Sequence, residues 1–405
     1  MHKSLSNTSD VVVIWIDWYP YHVARFRGLA NNPSLRGKVT GVELVGGVGV
    51  HQGLKFREDL PADLPVITLM PKQSWRDVSQ VSVAVKLWKQ ISALHPRFVL
   101  IPGYYTLPGL AAAVWARVHR RTSVLMTEST AIDHKRVFWK ECLKGFGMRI
   151  LFDWAIAGGR AHFDYLHQLS FKEAKIVGAY NVVDNDFFGK GVDALRGAAV
   201  FEHSQPYFLF VGRFAVEKNV QALLDSWLSY RRQGGSWPLV LVGEGLEASA
   251  LKAAAAVTEF ADEVYFPGLK TCEQTLPFYA HAGCFVLPST REPWGLVTNE
   301  AMAAGLPVLI SDRCGCASDL VASGENGFLF PPQDEQQLAN LLHHMEGLSV
   351  EERAQMGMVS RQIIERFSPT HFGRSVEMIV RSEISSSHRD FTAHSSANEP
   401  AGGNV

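Results

Sequence analysis

The chain has 405 residues, of which 47% are hydrophobic and 20% charged, and its net charge of −1 excludes a global attraction to nucleic acid. This length exceeds one ordinary core and suits two domains. The five cysteines, Cys142, Cys272, Cys284, Cys314 and Cys316, form no regular framework, which excludes a secreted disulfide scaffold.

Residues 1–10, "MHKSLSNTSD", are polar and are expected to be flexible. They lack a basic region, long apolar core and cleavage site, so no signal peptide is expected. No stretch approaches ~20 uncharged apolar residues, so no membrane span is expected, and a cytoplasmic location is the default expectation. Cys314-Gly-Cys316 lacks a second ligand pair and reads as ordinary thiols, not a zinc clip.

From residue 11, apolar runs alternate with amphipathic segments. Strands are predicted at 11–16, 39–45, 65–70, 97–103 and 123–129, with helices at 22–31, 77–94, 107–120 and 134–148. The pattern restarts with strands at 207–212, 238–245, 263–268, 284–289 and 307–311. Helices are predicted at about 218–233, 246–258, 273–281, 296–304 and 335–346. Such alternation predicts parallel sheets covered on both faces. Two successive doubly wound, Rossmann-like units are expected, at 11–190 and 207–368, with a linker at 191–206. A helix at 369–384 is expected to return to the first unit. The polar tail, 385–405, is expected to be disordered.

Ligands of open parallel sheets bind beyond the carboxyl ends of the strands. That rule selects Asp17, Gly103, Glu128, Gly212, Gly243 and Gly268. In "VGRFAVEKNV" (211–220), Gly212 permits a close turn, and Arg213 and Lys218 stand near a helix start that already favours anions. Two cations there suit a pyrophosphate, or else form a solvated surface. In "REPWGLVTNEAMAAG" (291–305), Glu292 lies on a loop and Glu300 about one turn into a helix closed by Gly305. Either the two carboxylates hold a ligand, or Glu292 caps the helix and Glu300 is a solvated face residue.

In order, "FVGRFAVEKN", "LVLVGEG", "FPGL", "FVLPSTREPWGLVTNEAMAAGLPVLIS" and "GENGFLFPP" resemble the donor half of family 4 retaining glycosyltransferases (glycosyl transferases group 1). Glu292 and Glu300 match the family's E-x7-E motif. The resemblance implies the GT-B fold, two Rossmann-like domains facing each other across a cleft. It implies that Arg213 and Lys218 hold the donor diphosphate, with Gly212 and Gly243 beside it. Glu292 would contact the transferred sugar, and Glu300 the ribose. Backbone N–H groups of Trp294, Gly295, Leu296 and Val297 would meet sugar and phosphate, and Gly268 and Leu269 would border the base. The nucleotide-diphosphate sugar is then a co-substrate, and no resident cofactor or metal is required because the two cations offset the leaving group's charge.

The first unit departs from this pattern. In place of a Gly-rich loop it carries "IDWYPYHVARFRG" (16–28), whose Tyr19, Tyr21 and His22 are expected to shape the acceptor side. "GGVG" (46–49) is not a clean dinucleotide fingerprint. In "TESTAIDHKRVFWKECLKGFGMR" (127–149), Glu128 or His134 could orient an acceptor hydroxyl, or could serve as a cap and a solvated residue. Residues 133–149 carry five Lys/Arg among Phe138, Trp139 and Phe146. They form either a peripheral site for an anionic membrane or an amphipathic helix packed on the sheet.

The function implied is retaining transfer of a hexosyl-type sugar to a glycan or lipid-linked acceptor, as in cell-surface polysaccharide or glycolipid synthesis. The expected catalytic set is Glu292, Arg213, Lys218 and Glu128, and nucleic acid is not an expected partner. A sugar-nucleotide epimerase of the same fold and a non-catalytic, membrane-docked scaffold are the alternatives.

Overall fold

The computed structural model describes residues 9–47, 60–131, 136–196 and 205–396. The first sheet contains β1 (Val11–Trp15), β2 (Val39–Val45), β3 (Val66–Met70), β4 (Phe98–Pro102), β5 (Thr122–Thr127), β6 (Trp154–Ala157) and β7 (Ile176–Val177). Around it lie α1 (Pro20–Ala30), α2 (Gln80–Leu94), α3 (Leu107–Val118), α4 (Phe138–Leu151) and α5 (Arg160–Gln168). Its strand order is β3-β2-β1-β4-β5-β6-β7, with every neighbour parallel.

Next come α6 (Asn185–Arg196), β8 (Phe208–Val211), α7 (Val220–Arg232), β9 (Leu239–Val242), α8 (Ala248–Ala256), β10 (Val264–Gly268) and α9 (Cys272–His281). They are followed by β11 (Cys284–Leu287), α10 (Leu296–Ala303), β12 (Val308–Ser311), α11 (Ala317–Leu320), β13 (Gly327–Phe330), α12 (Glu335–Gly347) and α13 (Val350–Ile364). The second sheet has the order β10-β9-β8-β11-β12-β13, again parallel.

Both sheets are doubly wound, as the alternation predicts. β1 is buried along its whole length, and its alternate residues feed two different cores. That is why it reads as a continuous apolar run and not as an alternating one. In each sheet the chain builds outward on one side and then crosses to the other. The switch points fall between β1 and β4 and between β8 and β11. Loops leaving these strands diverge and open a crevice.

The last helix, α14 (Pro369–Ser396), belongs spatially to the first domain. Its Phe372, Val376 and Ile379 complete the core that holds Trp15 and Phe26. Closest contact with α1 is made through glycine. A Cβ on Gly28 would lie 2.0 Å from the Pro369 carbonyl oxygen, and one on Gly373 would lie 2.4 Å from that of Gly28. Glu377 accepts from Asn32 (2.8 Å) and Ser34 (2.6 Å), and Glu383 accepts from Trp154 Nε1 (2.7 Å).

Three stretches differ from the sequence reading. The chain passes from the first core to the second between Val182 and Val183. The expected linker at 191–206 begins inside α6, whose Asp184 caps Phe187 N–H (3.0 Å) and whose Phe188 and Val192 are buried in the second core. The expected tail, 385–405, is helical through Ser396; residues 397–405 lie outside the described set. β6, β7, β13, α5, α6, α11 and α13 are not expected from pattern alone.

Candidate active site

The loop after β8 begins at Gly212 and ends in a single 3-10 turn, Val216–Lys218. Asn219 then adopts a left-handed conformation (φ 56°) and opens α7. Its side-chain amide donates to the carbonyls of Pro288 (3.2 Å) and Pro332 (2.9 Å), tying this loop to two others. Lys218 is thereby aimed at the loop after β11, where its ammonium donates to the Glu292 carboxylate. The Ser289 hydroxyl stands 3.5 Å from the same carboxylate oxygen. The expected diphosphate ligand and the expected sugar ligand are therefore ion-paired with each other.

Arg213 stands outside this pair. It is about half exposed and reaches Glu217 at 3.3 Å, a surface contact of little energetic consequence. Gly243 serves the loop's geometry: a Cβ there would lie 1.8 Å from the Gly212 carbonyl oxygen, so the 212–214 turn can cross it only as glycine. Gly268 ends β10 with φ 78°, and the next side chain, Leu269, is exposed.

The 288–297 loop is held from behind. Gly315 N–H donates to the Glu292 carbonyl (2.9 Å), and a Cβ on Gly315 would meet the Pro293 carbonyl oxygen at 1.8 Å. Gly295 is the N-cap of α10 at φ 100°, a conformation that favours glycine. Leu296 and Val297 form the first turn of α10, where helix N–H groups lack intrahelical acceptors and favour an anion.

Glu300 has a separate partner. It lies half-buried on α10 and accepts from the Tyr279 hydroxyl of α9 at 2.8 Å. Burial pushes its carboxyl up to about 7, against which the Tyr279 hydrogen bond acts. Trp294 turns away from Glu292. Its ring is buried beside Phe367 and His162 at 5.4 and 5.7 Å, and its N–H donates to Asn299 Oδ1 (2.8 Å). Across the domain boundary, Asp319 accepts from the Arg160 N–H at the start of α5 (2.9 Å).

In the first domain, Asp17, Tyr19, Tyr21 and His22 follow β1, Tyr105 follows β4 and Glu128 follows β5. The rings of Tyr19 and Tyr21 stack at 5.5 Å, and His22 stacks on Trp15 at 4.8 Å. Burial, with Arg25 adding to it, lowers the His22 imidazole well below its usual range. Arg25 is fully buried; its Nη2 lies 3.6 Å from Glu128 Oε1 and 3.4 Å from Asn181 Oδ1. Arg25, Asn181, Tyr279 and Asn299 were not singled out from sequence. Arg25 had a visible signal: a cation in the apolar stripe Phe26–Leu29, one turn after His22.

α4 leaves most of its apolar side chains exposed. It buries only Gly145 and Met148, while Phe138 (84%), Trp139 (62%), Leu143 (65%), Phe146 (56%) and Ile150 (48%) are exposed. Lys144 and Arg136 turn inward to Glu141, whereas Lys140 and Arg149 face solvent. His134 and Lys135 lie outside the described residues, as do 48 and 49 of "GGVG". Among the described residues no His/Cys/Asp/Glu cluster could hold a metal, and no helix is long and apolar enough to cross a membrane. Cys314 and Cys316 are free thiols, and burial pushes Cys316 up to about 12.

Residues 192–362 match the family described as Glycosyl transferases group 1. The alpha-monoglucosyldiacylglycerol synthase of Streptococcus pneumoniae is 31% identical over 115 residues, 28% of this chain and 26% of that protein. The amylovoran biosynthesis glycosyltransferase AmsK of Erwinia amylovora is 30% identical over 146 residues, 35% of this chain and 36% of that protein. The matches thus span about a third or less of these curated relatives. In structure, HepE of Anabaena, solved with UDP and glucose, superposes with a TM-score of 0.69 at 18% identity, covering 92% of this chain and 100% of HepE. That likeness extends over both sheets and identifies the two-domain architecture as GT-B.

Proposed function

We propose that this chain is a retaining glycosyltransferase that moves a hexosyl group from a nucleotide-diphosphate sugar to a glycan or lipid-linked acceptor. The observation that carries the reading is the Lys218–Glu292 pair. It sits at the β8/β11 switch point, with the N-terminus of α10 beside it. Lys218 and the α10 N–H groups offset the charge that develops on a departing diphosphate. Glu292, an acceptor-only carboxylate, receives the sugar's hydroxyl donors. Arg213, released from Glu217, supplies a second cation to the diphosphate. Glu300 accepts from the ribose. UDP and glucose in HepE support a nucleoside diphosphate donor.

Glu292 and Glu300 engage different neighbours, Lys218 and Tyr279, which argues against a paired-carboxylate, covalent route of the glycosidase kind. We favour front-face substitution. The bond from the anomeric carbon to the diphosphate oxygen breaks, the acceptor oxygen bonds to the same face, and the departing oxygen takes the acceptor proton.

Incubation with UDP-, GDP- and ADP-sugars tests the reading. Acceptor-dependent release of nucleoside diphosphate, with the anomeric configuration kept, is expected. A new sugar nucleotide formed without acceptor would instead establish an epimerase.

A partner belongs to this reading: an anionic membrane surface, met through 133–149 from a cytoplasmic, peripheral position. The exposed apolar stripe of α4, flanked by Lys140 and Arg149, favours it.

A further inference from the structure

Two regions of the candidate site lie on different domains, yet a line of buried polar contacts joins them. It begins in the donor loop at Trp294, two residues after Glu292. Trp294 Nε1 donates to Asn299 Oδ1 at 2.8 Å, and Asn299 Nδ2 donates to the main-chain oxygen of Asn181 at 3.0 Å. The side-chain oxygen of Asn181 accepts from Arg25 Nη2 at 3.4 Å, and the same nitrogen lies 3.6 Å from Glu128 Oε1. Trp294, Asn299, Asn181 and Arg25 are all buried, whereas Glu128 reaches the crevice with 41% of its side chain exposed.

The setting packs this line closely. Asn181 lies next to Val182 and Val183, where the chain passes from one core to the other. A Cβ on Gly158 would come within 2.1 Å of Asn181 Nδ2, so the amide fills a slot that only glycine leaves open. The Arg25 guanidinium packs on the Tyr180 ring, 4.1 Å from its centroid, and lies 5.1 Å from that of Tyr21. Its Nε and Nη1 have no hydrogen-bond partner among the described residues. Beyond this ring packing, its polar contacts among the described residues run through Nη2, so its position is sensitive to both Asn181 and Glu128. Asn299 is also the residue before Glu300, so the line is anchored within the E-x7-E segment itself.

We propose that Arg25, Asn181 and Asn299 are positioning residues that set the acceptor-side carboxylate Glu128 according to the state of the donor loop. This rests on the glycosyltransferase reading. Ordering of residues 292–300 around a donor fixes Trp294 and Asn299. Asn181 and Arg25 follow, and Glu128 is held toward the acceptor. By linkage, an acceptor that engages Glu128 tightens the donor site in turn.

Hydrogen exchange decides the matter, with UDP-glucose, GDP-mannose and ADP-glucose tried in turn as the donor probe. The probe that protects peptides of 208–303 is expected also to slow exchange in 16–30 and 122–131 by about fivefold or more. Asn299→Ala, or Asn181→Ala should that variant not fold, is expected to keep the first protection and lose the second. Protection confined to 208–303 in the wild type, or distal protection that survives both variants, overturns the proposal. No protection anywhere by any probe overturns the donor reading itself. With p-nitrophenyl glycosides as acceptor probes, Arg25→Met should lower kcat about tenfold or more with donor KM unchanged, and Arg25→Lys should recover part of it. Equal changes in kcat and donor KM would mark a merely structural arginine.

Discussion

The ammonium of Lys218 and the carboxylate of Glu292 meet directly, 74 positions apart in sequence, with side chains 13% and 12% exposed. Each neutralises the other where both side chains are largely buried. Removing one partner therefore leaves a buried charge, which costs about 3 kcal/mol, beyond any loss of ligand contact. Lys218→Ala and Glu292→Ala are each expected to lower turnover by about 100-fold or more. Both singles should melt earlier than the wild type, and the double variant Lys218→Ala/Glu292→Ala should lose less stability than the two singles summed. Near-normal turnover in both singles would sink the assignment. Additive losses of stability would show that the pair does not couple.

Glu300 predicts a pH dependence. Burial holds its folded-state carboxyl near 7, above the ordinary 4.5, so the folded chain binds more protons than the unfolded chain between those values. Stability from this group is complete below the ordinary range and is lost as pH rises through about 7. Donor binding runs the other way, because only the carboxylate accepts from both ribose hydroxyls. Nucleotide affinity measured by calorimetry should rise from about pH 5.5 to about pH 8.5. Tyr279→Phe removes the hydrogen bond that lowers this carboxyl, so the midpoint should move to higher pH. A flat affinity profile in the wild type would remove Glu300 from the donor site.

Much of this site was legible because its parts are local. A strand, a glycine and a cation in "FVGRFAVEK" specify the β8 loop, and "PWGLVTNEA" specifies a loop, a left-handed glycine and a helix. The pairing of Lys218 with Glu292 was not legible, since it depends on β8 and β11 being neighbours at the switch point. Nor was the domain-crossing contact of Asn299 with Asn181, in which a neutral side-chain amide donates to a main-chain carbonyl that chemistry alone does not single out. Among elements, β7 has two residues, too short for periodicity to register. α13 buries only Met356, Gly357, Ser360 and Ile364, so its stripe is faint. Its start was nevertheless signalled: Ser349 and Glu352 form a reciprocal capping box.

α4 makes a prediction about surfaces. Its exposed Trp139, Leu143, Phe146 and Ile150 follow helical spacing, and Lys140 and Arg149 flank them. Sedimentation with phosphatidylglycerol vesicles should fall sharply for Trp139→Ser/Phe146→Ser. It should fall about 30-fold for Lys140→Gln/Arg149→Gln, since each of the two cations contributes about 1 kcal/mol at an anionic surface. Lys144→Gln should leave sedimentation unchanged, because Lys144 is engaged with Tyr165 and Glu141. Equal loss on changing Lys144, or no loss on changing Trp139 and Phe146, would move the contact surface elsewhere.

Gly295 separates backbone strain from site geometry. At φ 100° it sits in the left-handed region, and a Cβ there would come within 2.9 Å of Leu287 Cδ2. Gly234 has nearly the same φ, 97°, but a Cβ there would meet nothing within 4 Å, in the turn that follows α7. Alanine at either position strains the backbone by about 1–2 kcal/mol. Melting temperatures of Gly295→Ala and Gly234→Ala should therefore fall by similar amounts, with Gly295→Ala somewhat lower for the added contact. Activity should divide them. To relieve Leu287, the Gly295 variant must shift the N-cap of α10, and with it the Leu296 and Val297 N–H groups that the proposed donor site uses. A displacement of about 1 Å there is enough to cost about 100-fold in turnover. Gly234→Ala should turn over normally at temperatures below its melting point. If the two variants lose activity in proportion to stability alone, the α10 N-terminus has no part in transfer.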